Sequence, residues 1–162
     1  MKLKTLSPNQ IITLNDFPVH NEQILKIFFR IYQKGCGKIM PPCPVLHKSF
    51  VSFSGSLQRV FEEFSGRNPQ AEYFLLDGSH KTTAAALNGS KINVMIFETD
   101  KDIKEARSMV EAGELFSLAV ENTINESILD LMKHFSKNPY FETVQDKTVR
   151  MIAEKIIPRY MY

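Results

Sequence analysis

Tyr73-Phe74-Leu75-Leu76-Asp77-Gly78-Ser79-His80-Lys81-Thr82-Thr83-Ala84-Ala85-Ala86-Leu87-Asn88-Gly89 carries three structural signals in one stretch. From Glu72 to Leu76 the apolar run is continuous rather than alternating, which suits a strand covered on both faces. Asp77-Gly78 is turn chemistry. The run from Thr82 to Leu87 then reads as a helix, and Asn88-Gly89 supplies its left-handed stop.

Strand, glycine turn and helix start together make a place for an anion. The first turn of a helix leaves its N–H donors unpaired, and the macrodipole puts partial positive charge there. A phosphate group meets both needs. Gly78 permits close approach of a ligand to the backbone. Ser79, Thr82 and Thr83 add hydroxyl donors, while His80 and Lys81 add donors that can carry charge. Asp77, at the strand's end, is placed to hold a metal ion or to act as a base beside those phosphates. A plainer reading uses the same residues: Asp-Gly-Ser is a common turn, and Asp77 or Ser79 can simply cap the helix.

Outward from this stretch, Ile11-Ile12-Thr13-Leu14 reads as a β-branched strand entering a turn at Asn15-Asp16. Ile24, Leu25, Ile27, Phe28, Ile31 and Tyr32 recur at three- and four-residue spacing, which predicts an amphipathic helix over 21–34 closed by Gly35. Pro41, Pro42 and Pro44 place 37–44 in a loop. A strand is expected over 45–53, a short helix from a Ser54 cap to Phe64, and a strand over 92–98. Beyond Thr99 only helices are expected: 100–112 capped by Asp100, 121–135, and 144–157 ending before Pro158. The pattern predicts an α/β (α+β) fold, with a small mixed sheet over 1–99, a helical part over 100–162 and a soft boundary near residue 100. No internal repeat or low-complexity linker is evident.

With 162 residues, 43% of them hydrophobic and 23% charged, the chain can bury a core and is expected to be soluble. A formal net charge of +2 is too near neutral to imply a polyanionic partner. The basic residues of the C-terminal part, such as Lys147 and Arg150, alternate with acids, as on a solvated mixed-charge helix face. Cys36 and Cys43 form neither a C-x-x-C pair nor a disulfide framework. They read as small, partly buried hydrophobes in a reducing cytoplasm, with Cys43-x3-His47 weak as a zinc pair. No signal-peptide stretch follows Met1, and no window approaches the ~18 apolar residues of a membrane helix, so a cytoplasmic protein without membrane partners is expected.

The stretch from Tyr73 to Phe97 resembles the ParB/sulfiredoxin superfamily, whose members show an apolar strand, a Gly-x-His-Arg or Gly-Glu-Arg-Arg turn, a small-residue helix, a glycine and a second apolar strand. The resemblance extends loosely over about residues 10–99, with 49–71 as an insertion. It implies a small mixed sheet with helices and a nucleotide bound at the turn. Sulfiredoxins carry a cysteine immediately before the motif's histidine, and Ser79 stands there instead. Chromosome-partition members bind CTP and grip DNA through a following helix-turn-helix domain, for which the C-terminal part is short. DNA is therefore a possible but unfavoured partner.

The remaining group, free-serine kinases similar to sulfiredoxin, carries Asp-Gly-x-His-Arg and a glutamate after the first strand. Asp77-Gly78-Ser79-His80 matches the first element, and Glu22 in His20-Asn21-Glu22-Gln23 stands in the place of the second. The resemblance thus implies a phosphotransferase using ATP or ADP with magnesium on a small hydroxyl substrate. Asp77 and Glu22 would be its carboxylates, with Asp77 also a metal ligand. Gly78, Ser79, His80, Lys81 and Thr82 would hold the phosphates. Lys81 replaces the usual arginine, which keeps the charge and loses the two-pronged phosphate contact. Glu22 is also where a helix dipole favours any acid.

Overall fold

Strands with apolar residues on both sides need cover on both faces, and the chain supplies two helical layers. The computed structural model describes residues 1–14, 21–115 and 117–162. Among these the elements run β1 (Lys2–Leu6), β2 (Ile11–Thr13), α1 (Glu22–Gln33), β3 (Cys43–His47), α2 (Gly55–Arg67) and β4 (Tyr73–Leu75). They continue with α3 (Ser79–Leu87), β5 (Ile92–Phe97), α4 (Asp100–Glu111), α5 (Ile124–Lys137), β6 (Glu142–Thr143) and α6 (Val144–Ala153). The strands form one mixed sheet in the order β1-β5-β3-β4-β2-β6. The β5/β3 and β4/β2 pairs are parallel and the other three antiparallel. The fold is mixed α/β, as expected.

Alternation along each strand assigns its residues to the two layers. On β4, Tyr73 and Leu75 join the core made with Leu25 of α1, Ala84 and Ala85 of α3 and Met151 of α6. Phe74 between them joins the opposite core, with Phe61 and Phe64 of α2 and Leu131 and Phe135 of α5. On β5, Val94 and Ile96 belong to the first core, while Met95 and Phe97 pack with Ile103 and Ala106 of α4. The unbroken run of Tyr73 to Leu76 therefore marks a strand buried on both faces.

Several sequence expectations shift, among them the cap of α4, which is Thr99 rather than Asp100, and the end of α2, which runs on to Arg67. The loop expected over 37–44 ends earlier, because β3 begins at Cys43 and the Pro44 carbonyl accepts from the Leu76 N–H at 3.0 Å. The expected strand over 45–53 gives way at Lys48 to a single 3-10 turn. Helix α3 begins at Ser79 rather than Thr82, since the left-handed Gly78 (φ +108°) turns the chain at once into the helix. The expected turn at Asn15-Asp16 lies outside the described residues.

The boundary expected near residue 100 falls inside one packed unit. β6 adds an edge strand beside β2, with Ile12 opposite Thr143. Behind it the buried Glu142 carboxylate is gripped by both arms of Arg150, at 2.6 and 3.0 Å. Lys147 Nζ donates to the Leu14 carbonyl at 2.8 Å. The C-terminal helices thus close the layers that the first hundred residues begin.

Helix α4 is held by a carboxylate. Asp102 Oδ2 accepts from the Glu98 and Thr99 N–H groups at 2.9 and 2.8 Å and from the Thr99 hydroxyl at 3.1 Å. Oδ1 lies 2.8 Å from the Met1 ammonium. Burial opposes ionisation, but the ammonium and these donors outweigh it and hold the carboxyl at about 2, below its ordinary 3.8. A lowered folded pKa stabilises the native state fully above the ordinary value. That contribution is lost as pH falls from about 4 through 2. Asp102→Asn should cost about 1–2 kcal/mol at pH 7. In urea unfolding the variant should lose much less stability than the parent between pH 4 and pH 2.

Candidate functional site

The parallel pair β2/β4 fixes where a site forms, because ligands of such sheets bind outside the carboxyl ends of the strands. Thr13 and Leu14 at the end of β2 and Leu75 to Ser79 after β4 wall a small hollow there. Beside it opens a cavity of about 250 Å³, lined by Asp77, Gly78, Ser79, His80 and Lys81 along one wall. Ile24, Phe28, Pro41 and Ser117 line the remainder. Five of the seven candidate residues therefore surround one cavity: an acid, a glycine turn and the first donors of α3.

Gly78 allows the turn by two means. Its φ of +108° is closed to ordinary side chains, and the backbone passes directly over Cys43, whose Sγ would lie 2.6 Å from an added Cβ. Ser79 begins the helix with only 6% of its surface exposed, and its hydroxyl has no hydrogen-bond partner among the described residues. A buried hydroxyl left unpaired costs roughly 1–3 kcal/mol, so this atom marks a place that lacks a partner. Thr82 does not reach the cavity. Its hydroxyl donates to the Ser79 carbonyl at 3.0 Å, and its N–H closes the first helical turn onto Gly78.

Charge collects on the same wall. Lys81, half-buried, points its ammonium toward the Pro41 carbonyl at 3.4 Å. His80 Nε2 accepts from the Asn21 N–H at 3.3 Å, which ties the start of α1 to the first turn of α3. Asp77 Oδ2 accepts from the Ala119 N–H at 3.1 Å, so a strap between α4 and α5 crosses the site from 42 residues away. Burial pushes the Cys43 thiol up to about 11, against the pull of Lys81, and the side chain packs beneath the Gly78 turn.

Family models, curated proteins and solved structures return no match to this chain.

Glu22 stands apart from the other candidates. It is exposed on the first turn of α1, its Oε1 accepts from the Tyr160 hydroxyl at 3.3 Å, and it does not line the cavity. Its place at a helix start is explained by the dipole and by the Asn21 cap, which accepts from Gln23 and Ile24 N–H groups. His20 lies outside the described residues. Asp77 remains the carboxylate of the cavity among its described lining residues.

The zinc reading of Cys43 and His47 meets a geometric obstacle. Three residues of extended strand, four Cα steps, separate them by about 13 Å, too far for one ion. His47 Nδ1 is engaged within its own turn by Ser49. Among the described residues no group of three or more metal-binding side chains forms. Cys36 is exposed rather than partly buried, and both cysteines are free thiols.

Sequence reasoning missed the participants that come from elsewhere. Phe28 is legible only as part of the α1 stripe and Pro41 only as a loop residue, while Ser117 and Ala119 carry no local signal; their roles at the cavity arise only when the sheet closes.

Proposed function

We propose that this chain binds a nucleotide through its phosphates at the first turn of α3, as a ParB/sulfiredoxin-like protein, and passes a phosphoryl group to a small hydroxyl compound. One observation carries the reading: a buried Ser79 hydroxyl, without a partner among the described residues, sits at a helix start on the wall of a cavity that also holds Lys81. A phosphate oxygen supplies the acceptor that Ser79 lacks and the charge that Lys81 and the α3 dipole favour. Ile24, Phe28 and Pro41 offer an apolar surface for the base.

In this reading Asp77 serves the transfer itself. The acceptor oxygen forms a bond to the terminal phosphorus, the bond to the bridging oxygen breaks, and the hydroxyl proton passes to Asp77. Magnesium brought in with ATP or ADP supplies charge neutralisation, and a single carboxylate such as Asp77 suits it, since that ion takes most ligands from phosphates and water. The absence of Glu22 from the cavity lining favours a second reading, a nucleotide-binding module of the ParB kind without turnover.

Titration calorimetry with ATP, ADP and CTP, with and without magnesium, tests the binding. Ser79→Ala and Lys81→Ala should each weaken it roughly tenfold to a hundredfold, the worth of a hydrogen bond to a charged group, about 1.5–3 kcal/mol. Asp77→Asn should retain nucleotide measured without magnesium and abolish transfer followed by phosphorus NMR. No binding at millimolar nucleotide sinks the reading, and binding without transfer to any hydroxyl compound leaves the module.

A further inference from the structure

Helix α1 keeps apolar residues on its outer side as well as its inner one. Leu25, Phe29 and Tyr32 seat it on the core. At 3.6 residues per turn the opposite side centres on Ile27, which is 57% exposed, with Ile24 beside it at 40%. Lys26, Arg30 and Lys34 follow one another at four-residue spacing along one flank of that apolar line, each step rising about 6 Å.

The charge of this ridge is not neutralised within the fold. Among the described residues none of the three cations pairs with a carboxylate, whereas Lys2 and Arg150 each do. Glu22, one turn before Lys26, accepts from the Tyr160 hydroxyl instead. Lys26 Nζ stands 5.5 Å from the centre of the Tyr160 ring, which stays 54% exposed. Arg159, exposed in the same 3-10 turn as Tyr160, adds a fourth cation. Four cations against one acid exceed the formal charge of +2 carried by the whole chain.

We propose that the outer ridge of α1, with the Tyr160 turn beside it, is a peripheral docking surface for an anionic lipid bilayer. Ile27 and Ile24 enter the boundary of the acyl chains, and the amphipathic Tyr160 ring lies at headgroup depth. The four cations meet the lipid phosphates, their aliphatic stems lying along the apolar line. A convex ridge gives a protein partner no hollow for an anchoring side chain, but a bilayer boundary accepts it. No helix among the described residues is long and apolar enough to cross a membrane, so the absence of membrane partners expected from the sequence extends to spanning segments only. Ile24 also lines the cavity of about 250 Å³, and a docked chain therefore holds that opening beside the headgroups. The docking does not depend on what the cavity binds.

Flotation with vesicles of phosphatidylglycerol and phosphatidylcholine in equal parts, and with vesicles of phosphatidylcholine alone, tests this at about 0.1 M salt. Partition into the anionic vesicles should exceed that into the neutral ones by about tenfold or more. Lys26→Gln/Arg30→Gln/Lys34→Gln should lower it roughly hundredfold, since each cation near such a surface contributes about fivefold. Ile27→Ser should lower it about fivefold, through the apolar contact alone. The chain has no tryptophan, so Ile27→Trp supplies a single reporter. Its emission should shift to the blue with anionic vesicles and be quenched by bromine on their acyl chains. No flotation, equal partition into both vesicles, binding unmoved by Ile27→Ser, or an unshifted Ile27→Trp emission overturns the proposal. Tighter binding of a single-stranded oligonucleotide than of anionic vesicles, with both lost in the triple variant, also overturns it and makes the ridge a nucleic-acid surface.

Discussion

Gly78→Ala is expected to destabilise the fold by about 2–5 kcal/mol and to remove measurable nucleotide binding. Two costs add at this position. A left-handed backbone costs a residue with a Cβ roughly 1–2 kcal/mol. Crowding a packed site costs about 1–3 kcal/mol more. The new Cβ would stand 2.6 Å from Cys43 Sγ and 3.3 Å from Cys43 Cβ. Cys43 is 1% exposed and lies on central strand β3, so it has no room to retreat. Relief must come from the turn, which shifts Ser79 and the donors of α3 away from the phosphate position. Urea unfolding reads the first effect and calorimetry with ATP the second. Adding Cys43→Ala should return the crowding part while leaving the backbone part, so the two substitutions should couple by about 1 kcal/mol or more. A Gly78→Ala protein within 0.5 kcal/mol of the parent would show that the turn is not held as described.

What a reader of the sequence can see depends on how local the cause is. The β4 strand, the Gly78 turn and α3 declare themselves because each signal lies within a few residues of its effect. Helix α1 forms where its periodicity places it, but the face it buries is Leu25, Phe29 and Tyr32, so Phe29 was not in the expected stripe and Ile24 and Ile27, which were, are exposed. β1 is different. Only Leu6 of its five residues is buried, so no apolar pattern announces it, and it exists because β5 offers an open edge. β6 is two residues long, too short for any period, and forms because α5 delivers the chain beside β2.

The site divides the same way. Asp77 to Lys81 are contiguous and reach the cavity together. Glu22 was legible as an acid at a helix start, yet which side of the helix it serves is decided by Tyr160, 138 residues away. Thr82 belongs to the motif in sequence, but helical geometry returns its hydroxyl to the backbone. The strap at Ala119 and the Cys43 support are tertiary facts with no short-range trace.

Phe135→Ala is the second large effect expected, and it bears on how the last third belongs to the fold. Phe135 of α5 is fully buried. Its ring lies 4.3 Å from Phe141, 5.8 Å from Phe74 of β4 and 5.9 Å from Phe53, centroid to centroid. Truncation loses the transfer energy of the ring and leaves a cavity that neighbouring rings fill poorly, for a cost of about 3–5 kcal/mol. Aromatic pairing adds roughly 0.5–1.5 kcal/mol per pair beyond area, which places the variant at the upper end. For a chain of this size that corresponds to a melting temperature lower by roughly 6–20 °C. The form of the transition carries more than its midpoint. If residues 100–162 were an appendage, α5 would melt first and the sheet later, in two steps. Since Phe135 packs on the strand that leads into the Gly78 turn, the sheet and α5 should instead unfold in one transition. Amide protection at Ile12, Phe74 and Leu131 should fall by the same factor in hydrogen exchange. Retained protection at Phe74 with loss at Leu131 would separate the layers, and would leave the nucleotide site supported by the first hundred residues alone.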